Sequence, residues 1–299
     1  MLRNERFDSA DRIIKIGFWV NAVLMILKMA AGYWGHSEAV FADGIESACD
    51  FIAIFSTMVA LKLGRKPFDE KHPYGHGRAE SLSALMVSMV ILATGGWILS
   101  NSVHSIMDGN FQTPSLLAVA AAFVTIIIKE WLYRFTHKTG NILVSPSLLA
   151  IAKDHRKDAL TSISTLAGVV GAFFGFGIMD PLAAGLTSFF ILHIGYETFK
   201  EAAHDLMDGS VSPDFIEEVT RLAESVDRVE HVHDIRGRRS GQYMIIDLKL
   251  EMDPDMTVKD SHDIADKVKR LIFDGFPNVG DVMIHINPHE EEHEDLIRL

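Results

Sequence analysis

The chain has 299 residues, 48% of them hydrophobic, and its acidic side chains outnumber its basic ones by 40 to 28. A net charge of −12, with no basic patch interleaved with aromatic residues, argues against nucleic-acid binding. Its single cysteine, Cys49, excludes a disulfide framework, and we expect that side chain to pack as a small apolar group.

Six apolar stretches, each near the roughly 20 residues that cross a bilayer, occupy the first two thirds of the chain. They predict six transmembrane helices: Ile13–Trp34, Ala39–Leu63, Leu82–Ile106, Leu117–Phe135, Leu148–Phe176 and Leu182–Phe199. Lys and Arg residues precede the first stretch and follow the second and fourth, whereas the alternate loops contain none. By the positive-inside rule, both termini of this multi-pass protein are expected in the cytoplasm. We expect the cell inner membrane, with an internal membrane as the alternative.

Carboxylates interrupt the second and fifth stretches. Glu46 and Asp50 are four residues apart, as are Asp154 and Asp158, so each pair projects from one face of its helix. Asp43 lies one turn away on the face of Glu46 and Asp50. Because an uncompensated carboxylate near the bilayer centre costs at least about 2.5 kcal/mol, these acids need a counter-charge. A single divalent cation held between the two helices would supply this counter-charge.

Three other charged residues lie inside apolar stretches, namely Lys28, Lys129 and Glu130. We place them toward the ends of their helices and expect their long side chains to reach the membrane interface, with a role in transport as the alternative.

The composition becomes polar after Gly209, and the hydrophobic period changes. The pattern predicts helix Pro213–Val226, strands Val229–Arg236 and Tyr243–Met252, helix Val258–Phe273 and strand Val282–Ile286. The order αββαβ indicates a small α+β domain in the cytoplasm. We therefore divide the chain into a membrane domain at 1–208, an α+β domain at 209–290 and an acidic tail at 291–299.

The loop after the second stretch contains Tyr74-Gly75-His76-Gly77, and this motif completes a pattern that spans the whole chain. With six apolar stretches, paired acids in the second and fifth, and a metallochaperone-like C-terminal domain, the chain resembles the cation diffusion facilitators. These are proton-coupled exporters of divalent transition metals that act as homodimers in the lipid bilayer.

The resemblance implies roles for several groups of residues. The transport site maps to Glu46, Asp50, Asp154 and Asp158, supported by Asp43. A second metal site maps to the loop residues Asp69, His72 and His76. An ion pair that ties the third helix to the end of the sixth maps to Arg78 and Asp208.

The sequence departs from the zinc-transporting members of the family at the metal sites. Those members carry His at the position of Asp154, whereas here His155 follows, about 100° round the helix. Because oxygen-only sites suit harder ions, we expect Mn²⁺ or Fe²⁺ as cargo, with Zn²⁺ next. In the cytoplasmic domain, Lys249 and Asn287 replace two ligands of the zinc binders, and the ligands that remain resemble the pattern of the magnetosome-membrane members. The remaining candidate ligands there are His233, Asp247, His262, His285 and His289.

The sequence thus favours a secondary transporter that exports a divalent metal in exchange for protons, with the metal also a possible regulator and with no separate cofactor. An enzyme is not expected, since the chain contains no nucleophile elbow and no phosphate-cradling loop. The alternative is a non-transporting metal sensor or scaffold that keeps the same fold.

Overall fold

The computed structural model describes residues 3–109, 111–143 and 145–289, so the acidic tail lies outside the described residues. Six long helices come first: α1 (Arg3–Trp34), α2 (Glu38–Gly64), α3 (Ala79–Asp108), α4 (Leu116–Leu143), α5 (Pro146–Phe173) and α6 (Met179–Leu206). The C-terminal elements are α7 (Pro213–Glu224), β1 (His231–Ser240), β2 (Tyr243–Met252), α8 (Val258–Gly275) and β3 (Val279–Pro288). Both the six predicted helices and the predicted αββαβ order are confirmed.

Four of the helices are long and apolar enough to cross a membrane within the part of the chain that the structure describes. They are α1 from Arg12, α2, α3, and α4 as far as Ile142. α5 and α6 have a similar length of 28 residues each. α5 is less apolar than those four helices because the polar run from Lys153 to Asp158 interrupts its sequence.

The chain forms two compact units, and both include parts of the long helices. The first, which we call the membrane unit, comprises the chain up to Ser56 together with Met86–Phe199. The second comprises Thr57–Leu85 and the chain from Lys200 onward. The ends of α2 and α6 and the start of α3 therefore group with the C-terminal elements.

Small side chains allow the helices of the first unit to approach closely. Ala42 and Cys49 of α2 lie in one buried cluster with Val87 and Ile91 of α3 and Ala184 of α6. The expected packing role of Cys49 is thus confirmed. Close packing of this kind holds helices together where lipid removes the hydrophobic driving force.

The C-terminal elements pack two helices on one face of a sheet of order β1-β2-β3. β1 and β2 are an antiparallel hairpin, and β2 runs parallel to β3 through the crossover helix α8. The N-cap side chains of Ser212 and Thr257 accept hydrogen bonds from backbone N–H groups at the starts of α7 and α8.

Alternation along β2 separates an apolar face from a polar one. Leu248 and Leu250 are buried in the core with residues of α7 and α8, whereas Asp247, Lys249 and Glu251 point to the opposite face and are partly exposed. Asp247, a candidate ligand, is therefore displayed on the sheet face that the helices leave open.

Candidate metal-transport site

α2 and α5 bring their acidic faces toward each other, as the spacing predicts. The hydroxyl of Ser162 on α5 lies 3.3 Å from a carboxylate oxygen of Asp43 on α2. Glu46 and Asp50 both lie within electrostatic range of Asp158. Carboxylates from two helices thus face one region of the membrane unit.

The four transport-site candidates are not drawn to a single point. Asp50 and Asp154 are exposed, Glu46 and Asp158 are partly buried, and Asp154 lies one turn before Asp158 on α5. Among the described residues, no three of these acids place ligand atoms within 4.8 Å of one another. The arrangement is an open acidic face, on which like charges keep the carboxylates apart.

Lys28 is a partner of this site that the sequence interpretation missed. Its ammonium group lies 3.0 Å from Asp43 and donates a hydrogen bond of 3.1 Å to the hydroxyl of Ser47. Only 2% of the Lys28 side chain and 5% of the Asp43 side chain are exposed. The expectation that Lys28 reaches the membrane interface is therefore wrong.

Lys129 likewise turns inward instead of reaching the interface. Its Nζ lies 2.6 Å from Oδ2 of Asp158, with exposures of 5% for the lysine side chain and 32% for the aspartate. A buried ammonium group requires a counter-charge, and the carboxylate of Asp158 on the neighbouring helix supplies it. The usable signal in the sequence was the coexistence of two lysines and several acids inside apolar stretches, since such groups usually pair.

His155 is buried beside α1. A Cβ built on Gly17 of α1 would lie 3.5 Å from its Nε2 atom, and that atom has no hydrogen-bond partner among the described residues. Asp154 and Asp158 lie within electrostatic range of its ring. The four transport-site candidates themselves offer oxygen donors.

The loop between α2 and α3 brings its three candidate ligands together. Asp69, His72 and His76 each offer a ligand atom within 4.8 Å of the other two. Nδ1 of His72 lies 3.2 Å from Asp69 Oδ1, and Nε2 of His76 lies 3.6 Å from Asp69 Oδ2. Two imidazoles and a carboxylate at this spacing have the donors of a transition-metal site.

The backbone of the loop holds the carboxylate in place. The N–H groups of His72 and Lys71 donate hydrogen bonds of 2.7 and 3.0 Å to Asp69 Oδ1. The hydrogen bond from the His72 backbone is the main cause that lowers the pKa of Asp69 below its ordinary value. Gly75 adopts φ +82°, a conformation that favours glycine, and completes the turn between the two histidines.

Arg78 and Asp208 form an ion pair within the second unit. Arg78 also donates a hydrogen bond of 3.0 Å to the carbonyl of Leu206, and Asp208 has φ +59° just after the end of α6. Arg238 of β1 extends the pair, since its guanidinium lies 3.7 Å from Asp208 and 3.9 Å from Asp247. The charges thus run from the start of α3 to the open face of the sheet.

The candidate ligands of the C-terminal domain are not gathered into one group within the described part of the chain. Asp247 is engaged by Arg238, and His285 lies on the open sheet face opposite Lys249 in the register of β2 and β3. His262 is exposed on α8, which packs on the other face. Within the described residues, these side chains do not meet the 4.8 Å criterion that the loop satisfies.

Glu251 joins two of the predicted histidines and was missed in the sequence. Its carboxylate lies 3.2 Å from Nδ1 of His233 and 2.9 Å from Nδ1 of His289. The hydrogen bond with His289 is the main cause that lowers the pKa of Glu251. The alternation of β2 signals this position, since it places Glu251 on the open face with Asp247.

Comparison with known proteins matches the two halves of the chain to two family models. Residues 14–207 match the model described as cation efflux transmembrane domain, and residues 211–289 match the model described as cation efflux protein, cytoplasmic domain. The first range contains the candidate membrane and loop sites, and the second contains the open sheet face.

Several curated proteins are similar along nearly the whole chain. The manganese efflux system protein MneP of Bacillus subtilis is 34% identical and covers 97% of this chain and 100% of its own length. The manganese efflux system protein MneS of the same organism is 32% identical over 89% of this chain and 92% of its own. The magnetosome protein MamB of Magnetospirillum gryphiswaldense is 31% identical over 94% of this chain and 95% of its own.

Proposed function

Because this chain belongs to the cation diffusion facilitator family of metal efflux proteins, we propose that it exports Mn²⁺ from the cytoplasm in exchange for protons. The observation that carries the proposal is the open face of carboxylates that α2 and α5 present to each other. Fe²⁺ and then Zn²⁺ are the next candidates for the cargo.

Donor chemistry supports manganese. Glu46, Asp50, Asp154 and Asp158 offer only oxygen atoms, and His155 lies beside α1. Oxygen ligands suit Mn²⁺, whereas Zn²⁺ and Cu²⁺ gain more from imidazole or thiolate. Two relatives that align along most of this chain carry manganese efflux in their names, in agreement with this choice.

Competition for the same oxygens supports exchange with protons. The acids lie in one another's electrostatic range, so an empty site has an excess of negative charge that a metal or protons can compensate. In an alternating-access cycle, protons entering from the far side displace the metal, and metal from the cytoplasm displaces the protons. Both termini are cytoplasmic in this proposal.

The other ligand groups receive supporting roles. In this proposal, residues 1–208 form the transport domain, 209–290 a cytoplasmic regulatory and dimerisation domain, and 291–299 an acidic tail. The loop site of Asp69, His72 and His76 lies between two cytoplasmic helix ends and can collect metal there. Metal on the open sheet face of a homodimer would neutralise acids of both subunits and favour their approach.

The decisive experiment measures metal flux into proteoliposomes under an imposed pH gradient, with Mn²⁺, Fe²⁺ and Zn²⁺ in parallel. The test protein is the double variant Asp50→Asn/Asp158→Asn. Its matched control is Asp108→Asn, the same chemical change at an exposed acid at the end of α3. We expect Mn²⁺ flux that depends on the gradient, disappears in the double variant and persists in the control.

Two outcomes would contradict the proposal. Flux that ignores the pH gradient would exclude proton exchange while leaving metal export in place. No flux of any metal, from folded protein that still binds metal, would favour the sensor or scaffold.

A further inference from the structure

Two buried lysines face the acids of the membrane unit, and their surroundings differ. Lys28 and Asp43 form a closed pair, because the lysine also donates to Ser47 and the carboxylate also receives the hydroxyl of Ser162. Both charged groups of that pair are buried, with 2% of the Lys28 side chain and 5% of the Asp43 side chain exposed. A cation from outside has little access to it.

The pair of Lys129 and Asp158 is open on the side of the carboxylate. The ammonium group is buried, whereas about a third of the Asp158 side chain is exposed, at 32%. Asp50 of α2 lies within electrostatic range of both members of the pair. The ammonium group therefore lies against the acids proposed to hold the transported metal.

A metal ion and this ammonium group compete for the same carboxylate. The contact of 2.6 Å between Nζ and Oδ2 is a full ion pair. A divalent ion on Asp158 would lie a few ångströms from a positive charge in a region of low dielectric, where like charges repel strongly. The lysine side chain has a flexible stem of four carbons, so a change of rotamer can withdraw the ammonium group from Asp158.

We propose that Lys129 is a tethered counter-ion of the transport site, which neutralises Asp158 when the site is empty and is displaced when metal binds. This inference rests on the proposed function. Its consequence is that Lys129 weakens the affinity of the site for metal and assists release, because the ammonium group replaces the departing ion on Asp158. An exporter benefits from this arrangement, since tight binding would hold the cargo.

The experiment measures equilibrium binding of Mn²⁺ to the full-length protein in lipid nanodiscs, by competition with a fluorescent Mn²⁺ chelator at one fixed pH. Binding that Asp158→Asn removes is assigned to the transport site, which separates it from binding at the loop and the cytoplasmic domain. Lys129→Gln removes the charge and keeps a polar side chain. Lys129→Arg is the matched control, since it retains the charge.

We expect Lys129→Gln to tighten the Asp158-dependent binding by about tenfold or more, because a like charge next to the metal is removed. Lys129→Arg should bind like the wild type. The double variant Lys129→Gln/Asp158→Asn should bind like Asp158→Asn, since the lysine acts through that carboxylate. A lysine that only supports the fold would give the opposite sign, with weaker binding when it is removed.

Equal or weaker Asp158-dependent binding in Lys129→Gln would overturn the inference and leave metal export untouched, because export is tested by flux. Absence of any Asp158-dependent binding in the wild type would overturn both the inference and the assignment of the site. Lys129→Met, which keeps the length of the side chain, is the second variant for folding. Loss of folded protein in both variants would show a structural pair like that of Lys28, and would also overturn the inference.

Discussion

The membrane unit and the α+β domain treat charge in opposite ways. In the membrane unit, Lys28 and Lys129 are buried and each is held against a carboxylate of another helix. In the α+β domain the core is apolar, and the ion pairs of Glu251 and Asp247 lie on the open sheet face. Charge inside a membrane domain is costly and therefore indicates function, whereas surface charge costs little and indicates much less.

The largest effect should follow from breaking the closed pair of the membrane unit. Lys28→Met leaves Asp43 buried, and the hydroxyl of Ser162 is then the one partner of its carboxylate among the described residues. Removing one member of a buried pair costs about 3–5 kcal/mol, because the other charge remains uncompensated. The measurement is the free energy of unfolding of the purified protein in mixed micelles with a denaturing detergent.

The double variant Lys28→Met/Asp43→Asn is the control, and it should recover much of the loss because no charge is left unpaired. Lys129→Met should cost less than Lys28→Met, since Asp158 has access to solvent. Equal losses at the two lysines would remove the distinction between a closed and an open pair.

The sequence predicts these helices well and their partners poorly. Apolar length predicts each helix, and the spacing of Glu46 and Asp50 predicts a shared face, because both follow from one helix alone. Lys28 and Lys129 find their carboxylates on other helices, and no local period encodes which helices are neighbours. The two lysines were therefore assigned to the interface by a rule that applies to isolated helices.

The same limit applies to metal ligands. Asp69, His72 and His76 are close in sequence, and one tight turn brings them together. Asp247, His262 and His285 come from three elements, and the strand register and helix face that separate them depend on the packed domain. The contacts of Glu251 could not be predicted from the sequence for the same reason, because its two histidines lie on β1 and just beyond β3.

The stability of the α+β domain should depend on apolar burial, in contrast to the membrane unit. Leu250 is fully buried on the apolar face of β2. Leu250→Ala should cost about 2–5 kcal/mol of unfolding free energy, since it leaves a cavity in the core. The measurement is denaturant unfolding followed by circular dichroism in the strand region. Met283→Ala, at a side chain that is 63% exposed on β3, should change little.

A smaller loss is expected where the start of α3 touches the hairpin of β1 and β2. A Cβ on Gly77 would lie 2.5 Å from the backbone oxygen of Ser240, and a rotation of the Ser240 side chain would not relieve that contact. Gly77→Ala should therefore cost about 1–3 kcal/mol through overpacking. Gly96→Ala on α3 is the control, since its Cβ meets no atom and the change should stabilise the helix by about 0.5–1 kcal/mol. Melting temperatures that shift in the same direction in both variants would contradict the close contact.

The smallest effect should come from the surface acid Glu251 and should depend on pH. Its pKa is lowered by the hydrogen bond with His289 and by the nearby His231 and His233, so folding favours the ionised carboxylate. That contribution is present above the unfolded value near 4.5 and is lost as the pH falls through the lower folded value. His289→Ala should therefore reduce stability by less than about 1 kcal/mol at neutral pH, and the difference should vanish in strong acid.

The measurement is thermal unfolding with chelator present, in steps of roughly one pH unit between pH 3 and 7, a range that brackets the ordinary carboxyl pKa. His262→Ala, at an exposed position on α8, should leave the profile unchanged. A difference that grows toward acid pH would mean that the contact favours the protonated acid, contrary to the geometry of a carboxylate that accepts from an imidazole N–H.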